Sequence, residues 1–280
     1  MSLTKMKKEV MEEAKEIADA KKKTIFGKKQ DEFNSSFADY MKKKREAKSS
    51  RMVLGIWGEP KCGKTGIALD FPDRNICVLD WDKGVDSTWR EWHNSSEKID
   101  VYCPIVMNKE NVVDIDKSDD NSHAFVKYVR QKIEDGDNPI FVFDGVDTWF
   151  QSCLLKVNPN PRVVTKVMPY QYGARNNIFY HLLETIYQLN CDVIYITHET
   201  EKYLDNSPVG MMPNWKDWGG KLEQEIYCTR KKIKGQTHFV AELVGSRTNG
   251  NLVGKSWTVR EGNPPNIKWN GVPELKEGKI

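Results

Sequence analysis

The chain has 280 residues, of which 39% are hydrophobic and 30% charged, with a formal net charge of +3. That length suits one large α/β domain with an appendage, and no stretch approaches the roughly 18–20 continuous apolar residues of a membrane span. Six cysteines stand at positions 62, 77, 103, 153, 191 and 228. None are at C-x-x-C spacing, which argues against a zinc site or a disulfide framework and for a reducing, cytoplasmic compartment.

Residues 1–50 hold 14 Lys/Arg and 9 Asp/Glu, a net of +5, which leaves about −2 for the remainder. This segment reads as a basic, helix-prone arm. Lys5, Lys7 and Lys8 have no apolar stretch behind them, so it is not expected to be a signal peptide. Val10, Ala14, Ile17 and Ala18 make one narrow stripe, and Phe33, Phe37, Tyr40 and Met41 recur at helical spacing before Lys42 to Arg45. Such an arm buries no core of its own. It suits either a polyanionic partner or a solvated face.

From Arg51 the pattern becomes strand–helix alternation. The apolar run Arg51 to Trp57 precedes Gly58-Glu59-Pro60-Lys61-Cys62-Gly63-Lys64-Thr65, which matches the phosphate-binding pattern G-x-x-x-x-G-K-[ST] in full. A helix pattern beginning with Thr65 and Gly66 follows. Strand, glycine loop and helix together form the setting that this chemistry needs. Backbone N–H groups turn inward around phosphates, and the helix start places its positive end at the same anion. Residues 58–66 are therefore the candidate nucleotide contacts. Lys64 is expected to reach the β- and γ-phosphates, and the Thr65 hydroxyl to ligate Mg²⁺.

Ile76 to Asp80 reads as the second strand, followed by Trp81 and Asp82. A carboxylate just past this strand is placed to orient and deprotonate an attacking water. Asp82 is the first candidate, with Asp80 as the alternative. Val101 to Val106 is a candidate edge or irregular strand because of Pro104, and Ser122 to Glu134 reads as a helix. Ile140 to Asp144 is a buried strand ending in a carboxylate, the place from which an acid holds Mg²⁺ beside the loop. Asp147 is a weaker candidate for that task. Gln171 to Leu189 reads as a helix and Cys191 to Thr197 as the next buried strand. His198 at its end is placed to sense the γ-phosphate, since ligands of α/β sheets bind at strand ends. Ile226 to Ile233, His238 to Ser246 and Ser256 to Val259 alternate as strands of an antiparallel extension. In the turn after the second of these, Arg247 is a candidate arginine finger for a neighbour's nucleotide. Boundaries follow: arm 1–50, core 51–262, tail 263–280.

In order, Gly58–Thr65, Leu79–Asp82, Ile140–Asp144, Val193–His198 and Arg247 make the chain resemble the RecA-like ATPase core over roughly residues 50–260. The acid after the second strand is usually Glu in RecA relatives and is Asp82 here. DnaB-type helicases carry a basic residue before the Arg of the last turn, and this chain keeps Arg247 without it. The compact core looks most like the phage nucleotide-binding proteins of the Sak-type single-strand annealing class. The resemblance implies a mainly parallel sheet flanked by helices, ATP and Mg²⁺ as cofactors, a homo-oligomer with nucleotide at subunit interfaces, and single-stranded DNA as partner. It also points two segments at DNA. One is Asn158 to Tyr172 with Arg162, Lys166, Tyr170 and Tyr172. The other is Glu199 to Gly220 with Lys202, Tyr203, Trp215, Lys216 and Trp218. Cations interleaved with rings suit a single strand. A motor or helicase loader, and a non-hydrolysing nucleotide-gated module, remain alternatives on the same core. A small-molecule kinase fits less well, for want of an Arg-rich lid.

Overall fold

The computed structural model describes residues 51–158, 168–215, 217–233, 235–262 and 267–280. These belong to the unit Arg51–Ile280. The arm at residues 1–50 lies outside the described residues.

Ten strands form one sheet. Five parallel strands make its centre: β1 (Val53–Gly58), β2 (Ile76–Asp80), β3 (Ile99–Tyr102), β4 (Ile140–Asp144) and β5 (Asp192–Leu204). Their spatial order is β3-β2-β4-β5-β1. Strand β7 (Gln224–Ile233) continues it parallel to β1, and β8 (Gln236–Ser246), β9 (Ser256–Glu261) and β10 (Lys268–Trp269) follow antiparallel. The expected antiparallel extension therefore begins at β8 rather than at β7. The fold is α/β, a mainly parallel sheet flanked by helices with an antiparallel extension.

Strands β1, β2 and β4 are buried at every position, as expected of parallel strands covered on both faces. Their alternate residues feed two cores. Trp57, Leu79, Phe141 and Phe143 point to one side, with Phe125, Trp149 and Phe179 from helices α3 (Ile115–Glu134), α4 (Val146–Val157) and α5 (Pro169–Tyr187). Leu54, Ile56, Val78 and Val142 point to the other, with Ile67 from helix α1 (Lys64–Ala68) and Val85 from helix α2 (Val85–Trp92). Strand β3 is the sheet edge and stops before Pro104, where a ladder donor is missing.

Three expectations change. Residues 267–280 are not a loose tail, because β10 pairs with β9 and Val272, Leu275 and Ile280 enter the second core. Residues 199–213 are not a loop. Strand β5 runs on to Leu204 and turns through Asp205 and Asn206, both with positive φ, into β6 (Ser207–Pro213). Trp215 and Trp218 do not face solvent. They are 3% and 2% exposed and pack in the first core, with Trp218 edge-on to Tyr195 at 5.6 Å. Rings this buried do not stack on bases.

Truncating Trp218 to Ala is expected to cost about 3–5 kcal/mol of stability, as for other buried tryptophans. Chemical denaturation reads this directly, and unchanged unfolding of Trp218→Ala would contradict the core placement.

Candidate active site

The parallel register aligns the chemistry at one end of the sheet. Gly58 pairs with His198, and Asp80 with Asp144. The loop leaves β1 at Gly58 (φ 141°) and re-enters helix at Gly63 (φ 95°), with Lys61 also left-handed at φ 60°. These conformations aim successive N–H groups to one side. Lys64 is buried, and its ammonium donates to the carbonyl oxygens of Gly58 at 3.0 Å and Glu59 at 2.7 Å. The Glu59 carboxylate is held outward by Thr229 Oγ1 and Arg230 Nε, each at 2.8 Å.

The Thr65 hydroxyl donates to Asp144 Oδ2 at 2.7 Å. Burial pushes the Asp144 carboxyl up to about 7, and the charges of Asp82 and Asp80 add to the effect. Three carboxylates thus crowd one point with Lys64 as the near cation. A hydroxyl and a carboxylate beside such an excess of negative charge fit a hard divalent cation, so Thr65 and Asp144 suit the Mg²⁺ expected of them.

The two aspartates after β2 part ways. Asp80 turns back and accepts from the N–H groups of Gly84 at 3.3 Å and Val85 at 3.2 Å, which caps the start of α2. Its oxygens are spent on structure. Asp82 instead lines the cavity. Its Oδ1 accepts from the Thr148 hydroxyl, and burial raises its pKa. Gly145 (φ 93°) makes room for it, since a Cβ there would lie 2.7 Å from Asp82 Oδ1.

Asp147 lies behind the cavity and is not a wall of it. It accepts from Thr197 Oγ1 at 3.2 Å and the His198 N–H at 3.3 Å, and pairs with His198 Nδ1 at 3.1 Å. Its task here is to orient His198, whose Nδ1 stands 3.8 Å from Asp82 Oδ2. The hydrogen bond that its Nδ1 makes to the Asp147 carboxylate raises the His198 pKa. Burial works to raise Asp147, but the hydrogen bond and charge of His198 outweigh it and hold Asp147 low.

Loop residues 60–66, Asp82, Asp144 and His198 all face one cavity of about 580 Å³. Sequence reasoning missed its other wall, made by α2 together with Arg260 and Trp269. No periodicity or motif marks those positions. Arg247 is not among the lining residues. Ser246 pairs with Gln224 at the start of β7, four residues before Cys228 pairs with Gly58, so the turn sits at the far end of the sheet. There the Arg247 guanidinium donates to the Gly220 carbonyl at 2.6 Å. Of the expected nucleic-acid contacts, Tyr170 (74% exposed) and Lys202 are at the surface, as are Tyr172 and Tyr203. Arg162, Lys166 and Lys216 lie outside the described residues.

A glycine loop, its lysine, and a hydroxyl–carboxylate pair at the ends of parallel strands define a P-loop nucleotide-binding protein. The chain belongs to the AAA domain family, which matches residues 50–247. Among solved structures it is similar to the KaiC-like protein PH0186 from the hyperthermophilic archaeon Pyrococcus horikoshii OT3. That likeness has 11% identity and a TM-score of 0.47, covering 78% of this chain and 89% of that one. No curated protein matches the sequence. Among the described residues no helix is long and apolar enough to cross a membrane.

The His198–Asp147 pair gives a pH signature. A histidine raised above its ordinary 6.5 contributes stability that is complete below that value and fades as pH rises through the raised one. His198→Gln should therefore lower the melting temperature more at about pH 6 than at about pH 9. Equal losses at both would show that the pair holds as neutral partners.

Proposed function

We propose that the protein is a Mg²⁺-dependent ATPase that acts on single-stranded DNA as an oligomer. The observation that carries the enzymatic part is the convergence of Lys64, the Thr65–Asp144 pair and Asp82 on one cavity. In this reading the loop N–H groups and Lys64 hold the β- and γ-phosphates. Thr65 and Asp144 hold the cation, which neutralises charge on the phosphoryl group when bound. Asp82 takes the proton of the attacking water. Desolvation raises its basicity, and Thr148 with Gly145 fixes its direction. His198, held by Asp147, lines the cavity and senses the γ-phosphate.

Oligomeric action is what the RecA-like resemblance suggests, with Arg247 serving a neighbour's nucleotide; in its own chain Arg247 lies at the other end of the sheet from the cavity. The DNA part rests on the net +5 of residues 1–50 and on exposed Tyr170, Lys202 and Tyr203. Recombination or annealing on viral single strands is the biological setting that the resemblance suggests.

Steady-state hydrolysis with Mg²⁺, with and without single-stranded DNA, tests the whole reading. Lys64→Ala should weaken ATP binding about 10- to 100-fold, since it removes charged hydrogen bonds to phosphate; retained affinity would remove the phosphate-loop assignment. Asp82→Asn should keep binding and lower turnover about 10²- to 10⁴-fold, the usual worth of a general base. Stimulation by DNA that disappears in Lys64→Ala supports a DNA-directed ATPase. Binding without stimulated turnover would instead favour a nucleotide-gated interaction module.

A further inference from the structure

The cavity is wider than phosphate recognition requires, and its second wall has a chemistry of its own. At about 580 Å³ it falls within the range of whole small-molecule sites. Trp92, Arg260 and Trp269 line it together. Arg260 and Trp269 stand on β9 and β10, on the opposite side of β1 from β2, which Asp82 follows, and from β5, which carries His198. Both also lie beyond residue 247, where the family match ends.

Six of the nine tryptophans are buried. Of the other three, Trp89 packs on the second core and donates its indole N–H to the Ser96 carbonyl. Trp92 and Trp269 are half-buried like it, and both line this cavity. Their ring centres are 6.1 Å apart at an interplanar angle of 36°. Trp269 is fixed by its indole N–H, which donates to Asp70 Oδ2 at 3.1 Å, and its ring packs beside Gly63 and Gly66. A Cβ on Gly66 would come within 2.6 Å of that ring. The Arg260 guanidinium sits between two rings, 4.9 Å from the centre of Trp92 and 4.5 Å from that of Phe239. The second distance completes a cation–π sandwich. Its Nε is buried and finds no hydrogen-bond partner among the described residues.

We propose that Trp92, Trp269 and Arg260 form a subsite for the nucleobase and ribose of the bound nucleotide, supplied by the same chain that supplies the phosphate loop. It rests on the nucleotide-site reading above and extends it. The base lies against an indole face, and the Arg260 guanidinium, packed on the Trp92 ring, fixes that ring in the wall. The C-terminal segment thereby becomes part of the site, joined to the loop through Trp269 on Gly66.

The test compares Mg²⁺–ATP with inorganic tripolyphosphate by titration calorimetry. Stacking of one base on one ring corresponds to about 5- to 150-fold in affinity. Trp92→Ala should lose that much for ATP and nothing for tripolyphosphate, and Trp92→Phe should recover most of the loss. Arg260→Gln should likewise weaken ATP alone, which keeps the test open if Trp92→Ala does not fold. Unchanged ATP affinity in both alanine and glutamine variants overturns the proposal, and so does equal weakening of both ligands, which would make the wall a support for the phosphates. Lys64→Ala measured on tripolyphosphate reports on the loop separately, so failure of the subsite and failure of the nucleotide site give different results.

Discussion

A carboxylate with almost no access to water sits at the centre of this structure. Asp144 is 3% exposed and stands opposite Asp80 in the sheet register, with Asp82 close by. Burying acids together is expensive unless each oxygen has a partner. The fold answers each case differently. Asp80 receives two backbone N–H groups at the start of α2, Asp82 receives the Thr148 hydroxyl, and Asp144 receives Thr65. The Thr65 bond is the one that joins the phosphate loop to the acidic strand, across the intervening β5. Lys64 is the cation near this cluster, and it is bonded to loop carbonyls. The arrangement therefore favours an added cation at Asp144 and an anion at the loop, which is the charge pattern of a magnesium nucleotide.

The same cluster reaches outward along β5. Asp147 gathers the Thr197 hydroxyl, the His198 backbone N–H and His198 Nδ1, and His198 faces the cavity near Asp82. One residue later the strand enters the exposed hairpin with β6, where Tyr203, Leu204, Met211 and Met212 face solvent. A single strand therefore carries both the residue beside the cavity and this exposed surface.

On the other side of the loop the C-terminal segment holds α1 in place. Asp70 takes the indole N–H of Trp269 at 3.1 Å and the ammonium of Lys276 at 2.7 Å. Val272 and Leu275 pack with Ile67 and Val85 in the second core. The loop is thus bounded by the acidic strands on one side and by the end of the chain on the other.

Local pattern was enough to read much of this from the sequence. The eight residues Gly58–Thr65, the apolar runs ending at Asp80, Asp144 and His198, and the later alternating strands are short-range signals, because side-chain period and turn chemistry are properties of neighbouring residues. Where two neighbours competed, pattern ranked Asp82 before Asp80 but supplied no geometry for either. Asp80 and Asp82 are both acids after a strand, and only the course of the backbone turns one onto the N–H groups of α2 and the other into the cavity. Trp215 and Trp218 read as a basic–aromatic loop beside Lys216, but whether a ring stacks on a ligand or fills a core depends on what covers it; both are buried in the first core, Trp218 against Tyr195 and Tyr187. The second wall was invisible for the same reason. Trp269 meets Gly66 across some two hundred residues, a contact made by the curl of four added strands and by no feature of either sequence neighbourhood. The sequence by itself determined the phosphate loop and the strands that flank it, because local chemistry specifies them. The tertiary structure alone decided which acid faces the cavity, which tryptophans remain open and what closes the site, because those follow from the packing of distant segments against one another.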